Sequence, residues 1–255
     1  MLHFLRNIRR SLINSGSMRK YTLYAIGEIA LVVIGILIAL QVNNWNEERK
    51  LEAIELQYLE QLLEDLTVDT TYYNSRTEES QNVVSSHKEL IQLMYEIQKN
   101  SNDVMELLDK ARWNTEHLTI QNSMYTELTN SGKLNIFLNQ ELKKLLIHYY
   151  READQKAKHI SEFDEVSTRH LIELGNVIPT SIKYERFFND VFENLPLFKE
   201  EWEFFNDPLS KEFQTMAYTL SIYQMKHQTY LNHYSELKKL AIQLMSEIQK
   251  EINSR

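Results

Sequence analysis

The alternation of apolar and polar residues along the chain changes character three times. From Leu23 to Val42, LYAIGEIALVVIGILIALQV is apolar apart from Glu28 and Gln41. At about 1.5 Å per residue, a helix of that length spans roughly 30 Å, the thickness of a bilayer's hydrocarbon core. A transmembrane helix is therefore predicted over 23–42. Beyond Trp45 no glycine or proline occurs until Gly132, so a helix is expected over 46–99, ending before Asn100, Ser101, Asn102 and Asp103. Further helices are expected over 103–111, 120–131 and 139–174, with Gly132 and Gly175 just past the last two. Residues 176–208 hold Pro179, Pro196 and Pro208 together with Phe187, Phe188, Phe192, Phe198, Trp202, Phe204 and Phe205, and read as an irregular aromatic cap with short helical turns.

The clearest periodicity lies in 209–252. Leu209, Phe213, Met216, Leu220, Tyr223, His227, Tyr230, Tyr234, Leu237, Ala241, Leu244 and Ile248 alternate four and three apart, the spacing of a coiled-coil seam. A seam so narrow favours long helices packed nearly antiparallel, so 46–99, 139–174 and 209–252 are expected to form an elongated three- or four-helix bundle. The aromatic members of the stripe read as core rather than as a cofactor site. Following the seam through the first of these helices gives Leu62, Leu66, Asp69, Tyr73, Arg76, Ser80, Val83, His87, Leu90, Met94 and Ile97. Polar groups face inward there. Either this stretch projects past the bundle into water, the preferred reading, or Asp69, Arg76 and His87 meet partners such as His227 in a polar pocket, since buried charges must be paired.

Composition sharpens the fold class to all-α, because five glycines and three prolines in 255 residues leave little turn chemistry for a sandwich or barrel. The absence of cysteine excludes disulfides, thiolate metal sites and a cysteine nucleophile. Charge orients the chain. Arg6, Arg9, Arg10, Arg19 and Lys20 precede the span with no acid among them, whereas Glu47, Glu48, Glu52 and Glu55 follow it. Basic flanks stay inside, so 1–22 is expected in the cytoplasm and 43–255 outside the membrane, with Tyr21, Tyr24 and Trp45 at headgroup level. A cleavable signal peptide fits less well, since Ile38 and Leu40 occupy the positions around Ala39 where small residues are needed. Residues 3–14 alternate arginine with apolar residues, as basic helices lying on an anionic leaflet do. With a net charge of −8 and five positive charges before the span, the exported part is strongly acidic and ill suited to nucleic acid.

Within the span, Glu28 is the unusual residue, because an ionisable group in a bilayer is expensive and marks function by default. It shares a helical face with Gly35 and Ala39, a small-residue pair of the kind that lets helices approach closely, so self-association or a membrane-protein partner is expected. No phosphate loop, nucleophile elbow, paired-histidine zinc motif or calcium loop is present, and neither a catalytic residue nor a cofactor is assigned. His159, Glu162, His170 and Glu173 fall near one helical stripe. The two histidines nevertheless lie about 16 Å apart along the axis and cannot bind the same ion, so no metal is expected.

The segment Tyr24 to Glu47, YAIGEIALVVIGILIALQVNNWNE, resembles the N-terminal signature of an uncharacterised Gram-negative bacterial family known only as a domain of unknown function. Weaker similarity continues through Tyr125, Leu128, Gly132 and Tyr149 in MYTELTNSGKLNIFLNQELKKLLIHYY. The resemblance implies an inner-membrane anchor with an exported, periplasmic helical domain, and no known activity. The expected role is that of a non-enzymatic sensor, scaffold or interaction module. The alternative is an accessory subunit of a transport or ion-driven complex in which Glu28 titrates.

Overall fold

The computed structural model describes residues 18–96, 103, 111, 113, 115, 117–178 and 203–254. The amphipathic segment 3–14, most of the helix expected over 103–111, and most of the aromatic cap lie outside them. Among the described residues there are four α-helices, α1 (Met18–Met94), α2 (Ser123–Asn130), α3 (Gln140–Val177) and α4 (Lys211–Asn253), with 3₁₀ turns at Lys133–Ile136 and Glu203–Asn206. No strand occurs among the described residues. The chain divides into two compact units, Met1–Gln57 and Tyr58–Arg255.

In the first unit, α1 passes through the apolar run and the asparagines at 43, 44 and 46 without a break. Leu23, Leu31, Ile38 and Leu40 all stand exposed, Leu31 at 73%. α1 is thus long and apolar enough to cross a membrane, a property that an N-terminal signal sequence shares.

The second unit is a bundle with mixed directions. Tyr73 of α1 meets Tyr149 of α3, and Leu90 and Met94 share a cluster with Leu174, so α1 and α3 run parallel. α4 runs against both. Tyr73 meets Tyr234, His87 meets Tyr223 and Tyr95 meets Phe213, while Asn139 bonds Glu251, Lys156 pairs with Glu236 and Asp164 with Lys226. Eleven of the twelve positions of the expected seam are buried. Leu209 is the exception, at 85% exposure, because it precedes the N-cap Ser210, whose hydroxyl accepts the Phe213 N–H.

Three of the sequence-derived helix ends need correction, the first being that of α1, which stops at Met94 rather than at 99, with Tyr95 and Glu96 already in a turn. Gly175 does not stop α3, which continues to Val177. Ile178 then takes φ −70°, ψ 147°. The next residue is Pro179, and the clash of a proline ring with its predecessor excludes helical backbone there. Proline, not glycine, ends the helix. α2 begins at Ser123 rather than 120, because the backbone before it is tied by side chains of α1 and α3 at Gln121, as described below. Gly132 does occupy its expected place, at φ 69° beyond the end of α2, a left-handed conformation suited to glycine.

Candidate functional site

The core is apolar at both ends and polar between. One cluster gathers Leu59, Leu62 and Leu66 of α1, Leu142 and Leu146 of α3, and Leu237, Leu244 and Ile248 of α4. The other gathers Leu90 and Met94, Leu174, and Phe213, Met216 and Leu220. Ser80, His87, Asp164, Ser167, Lys226 and His227, all buried, come from the stretches of chain between those clusters. Asp69, Ser80 and His87, three of the inward polar positions of α1, are buried, and the preferred expectation that this stretch projects into water is corrected.

Lys226 carries the highest cost in this belt. Its side chain is 0% exposed, and its Nζ lies 3.0 Å from Asp164 Oδ1 and 4.3 Å from the centre of the Tyr223 ring. The carboxylate supplies the opposite charge and the ring face supplies part of the lost hydration. The Tyr230 hydroxyl donates to the Ile160 carbonyl one turn away, which fixes that ring too. Beside the pair, His87 stands 6.4 Å from His227 between ring centres, with Trp113 and Tyr223 edge-on or tilted against His87.

Asp69 belongs to a different assembly. It is 1% exposed, and Tyr149 donates to its Oδ2 at 2.6 Å while the Gln121 N–H donates to its Oδ1 at 2.8 Å. Tyr73 lies 2.9 Å from the Tyr149 hydroxyl and extends the chain of bonds. Burial pushes the Asp69 carboxyl upward, and the bonds from Tyr149 and Gln121 pull it back. The phenols of Tyr73 and Tyr149 are pushed far up, burial being the main cause in each. Neither ionises in the folded protein.

What this network holds is backbone. Because α1 and α3 are parallel, the chain must return along the bundle before α3 can start. Ala111 packs in the cluster with Leu90 and Met94, Trp113 lies tilted against His87, and residues 117–122 lead into α2 without helix or strand. A non-helical segment against a helical core brings backbone polar groups that no helix satisfies. Three side chains meet them: Tyr72 donates to the His117 carbonyl at 2.8 Å, Asp69 accepts from the Gln121 N–H, and Tyr150 donates to the Gln121 carbonyl at 3.2 Å. Tyr150 is itself stacked on Tyr125, 4.1 Å between centres. The polar residue in the α1 seam is thus the anchor of a strap.

The four residues grouped as a polar pocket are not brought together. Asp69 and His87 are eighteen residues apart on one helix, about 27 Å along its axis. His87 and His227 do meet. Arg76 is half-buried, paired with Glu79 and set over the Tyr72 ring. In the span, Glu28, Gly35 and Ala39 share a face, and a Cβ built on Gly35 meets nothing within 4 Å. His170 bonds Glu173 at 3.0 Å, whereas His159 turns to His233 of α4, so the stripe His159, Glu162, His170 and Glu173 forms no single site. Among the described residues, no three His, Asp or Glu side chains converge to hold a metal. Lys226, Asp164 and Tyr149 were not singled out as site residues by sequence. Lys226 sits one place before the seam residue His227, where a long cation ordinarily reaches water.

The buried imidazoles make the bundle acid-sensitive. Burial, then Lys226 and His87, lower His227 to about 3; burial, then Lys156 and His159, lower His233 to about 4. Both lie below the ordinary value of about 6.5, so the unfolded chain takes up protons first. The stability they contribute is present above about pH 6.5 and drains away as the pH falls toward 4. Asp69, displaced upward, works in the opposite sense. Urea unfolding of the detergent-solubilised chain between pH 7.5 and 4.5 should show a falling midpoint, and His227→Phe should flatten the slope.

Fold and site together define an all-α bundle with a buried polar belt, on a chain that also carries one span-length apolar helix. The chain belongs to the family of unknown function DUF6090, whose model matches residues 28–164, from Glu28 in the apolar run to Asp164 of the buried ion pair. No curated protein and no solved structure matches it.

Proposed function

We propose that the protein is a membrane-anchored interaction module: residues 23–42 cross the inner membrane, 1–22 remain in the cytoplasm, and the helical domain within 43–255 senses or scaffolds a partner in the periplasm without catalysing a reaction. The observation that carries this reading is the contrast between the two units. The bundle covers its own apolar seam, while the run from Leu23 to Val42 is left uncovered. At about 1.5–3 kcal/mol for each large aliphatic side chain, that surface is costly in water and at home in lipid. The five basic residues before Leu23 and the acids after Trp45 set the direction. A reporter active only in the periplasm, fused after Arg255, should be active, and the chain should resist alkaline extraction from membranes. Activity solely from a cytoplasmic reporter overturns the orientation, and a soluble form cut near Ala39 overturns the anchor.

A second reading makes the protein an accessory subunit of a transport or ion-driven complex, and the open space over Gly35, on the face shared by Glu28 and Ala39, favours it. Close helix approach needs small residues, so Gly35→Leu should reduce self-association or partner capture in crosslinking. Glu28→Gln keeps shape and hydrogen bonding but removes titration. A complex that depends on Glu28 as an acid loses its cellular phenotype with Gln, whereas the interaction module retains it. If neither substitution changes crosslinking or phenotype, the span acts only as an anchor.

A further inference from the structure

His159 of α3 and His233 of α4 face each other across the helix pair, Nδ1 to Nε2 at 2.8 Å, with ring centres 5.0 Å apart. Two imidazole nitrogens at about 2.0–2.1 Å from one ion stand about 2.9 Å apart at a right angle and about 3.3 Å apart at the tetrahedral angle. We propose that His159 and His233 form a cross-helix chelate for a divalent first-row transition ion of tetragonal preference, Cu2+ foremost.

The separation already matches a cis pair of ligands, and the preference for a tetragonal ion follows from its being near the right-angle value rather than the tetrahedral one. What must change is the aim of the two lone pairs, which now share one proton along the line between them. That is a rotation of two side chains, and His159 is exposed and able to turn. The proton of the present bond moves to the far nitrogen of its own ring, so both facing nitrogens offer lone pairs and both rings stay neutral. His233 is held low, at about 4, mainly by burial, so protons do not compete for it near neutrality. The nearest cation, Lys156, is engaged by Glu236 at 2.8 Å and Glu152 at 3.4 Å, which balances its charge. Glu162 and Glu236 lie one turn from the two histidines, and water completes the coordination. Because the ligands sit on different helices, the ion ties α3 to α4.

The test uses the detergent-solubilised full chain in a His3→Gln background, which removes a histidine outside the pair as a competing copper ligand. Cu2+, Ni2+ and Zn2+ are titrated against a chromogenic chelator, and the copper form is examined by electron paramagnetic resonance. One equivalent of Cu2+ with two nitrogen couplings is expected, bound more tightly than Ni2+ or Zn2+. Thermal stability should rise with saturating Cu2+, because the folded state alone presents the pair. His159→Gln, on the surface, should weaken binding by at least about 10–100-fold, the loss typical of removing even an outer-shell partner, and should abolish the thermal shift. His148→Gln should change neither. Undiminished Cu2+ binding or thermal shift in His159→Gln, or loss in His148→Gln instead, overturns the proposal and leaves a histidine–histidine hydrogen bond alone.

Discussion

Lys226→Met should destabilise the bundle by about 3–5 kcal/mol, the cost of leaving one member of a buried ion pair without its partner. The methionine fills the aliphatic path of lysine, so packing changes little; what remains is the Asp164 carboxylate, nearly fully buried, facing a thioether instead of an ammonium. For a domain of this size, each kcal/mol moves the melting temperature by about 2–4 °C, so circular dichroism should record a drop of about 6–20 °C. Lys226→Met combined with Asp164→Leu should recover much of the loss, because replacing both charges removes the uncompensated ion. If Lys226→Met melts within a degree or two of the parent, the pair is not desolvated as described.

Asp69→Ala should be comparably severe, with a different signature. It strips the acceptor from the Gln121 N–H and the Tyr149 hydroxyl. Orphaning the buried Tyr149 hydroxyl costs about 1–3 kcal/mol, and the part-buried Gln121 N–H adds a smaller loss. The helices can persist while the strap loosens, so the expected first sign is accelerated amide exchange at Gln121 and new proteolytic cutting within 117–122, with little lost helicity. Tyr149→Phe should show a weaker version, since the Gln121 bond survives. Unchanged exchange at Gln121 in Asp69→Ala would mean that the strap is held elsewhere.

Periodicity alone located α4, because a heptad seam needs nothing but spacing, and only Leu209 strayed, outside the capped end. The same seam carried through α1 named Asp69, Ser80 and His87 as inward positions. Polarity argued against burying them, and the answer lay in residues distant in sequence: Gln121 and Tyr149 for Asp69, Tyr223 and His227 for His87. No local pattern foretells such pairings. The parallel course of α1 and α3 was equally hidden. Spacing gives the face of a helix and not its direction, and the strap that makes the parallel course feasible is six non-helical residues with no glycine or proline to announce them. At the end of α3, Pro179 was in plain view, and the rule on residues before proline would have placed the stop at Ile178.

The direction of α4, antiparallel to both its neighbours and later in the chain, has a consequence for biosynthesis. At roughly 5–20 residues per second, the 76 residues from the end of α3 to the end of α4 take about 4–15 s to be made. Until then Asp164 stays hydrated, and the leucines of α1 and α3 face an empty groove. A nascent chain stalled before residue 211 therefore presents a long sticky surface interrupted by a carboxylate that repels wrong apolar partners. Arrival of Lys226 opposite Asp164 fixes the register of the final helix, since a slip of one heptad would strand both charges. Quality-control factors that recognise unfinished proteins should thus hold prematurely terminated products far longer than the full-length chain.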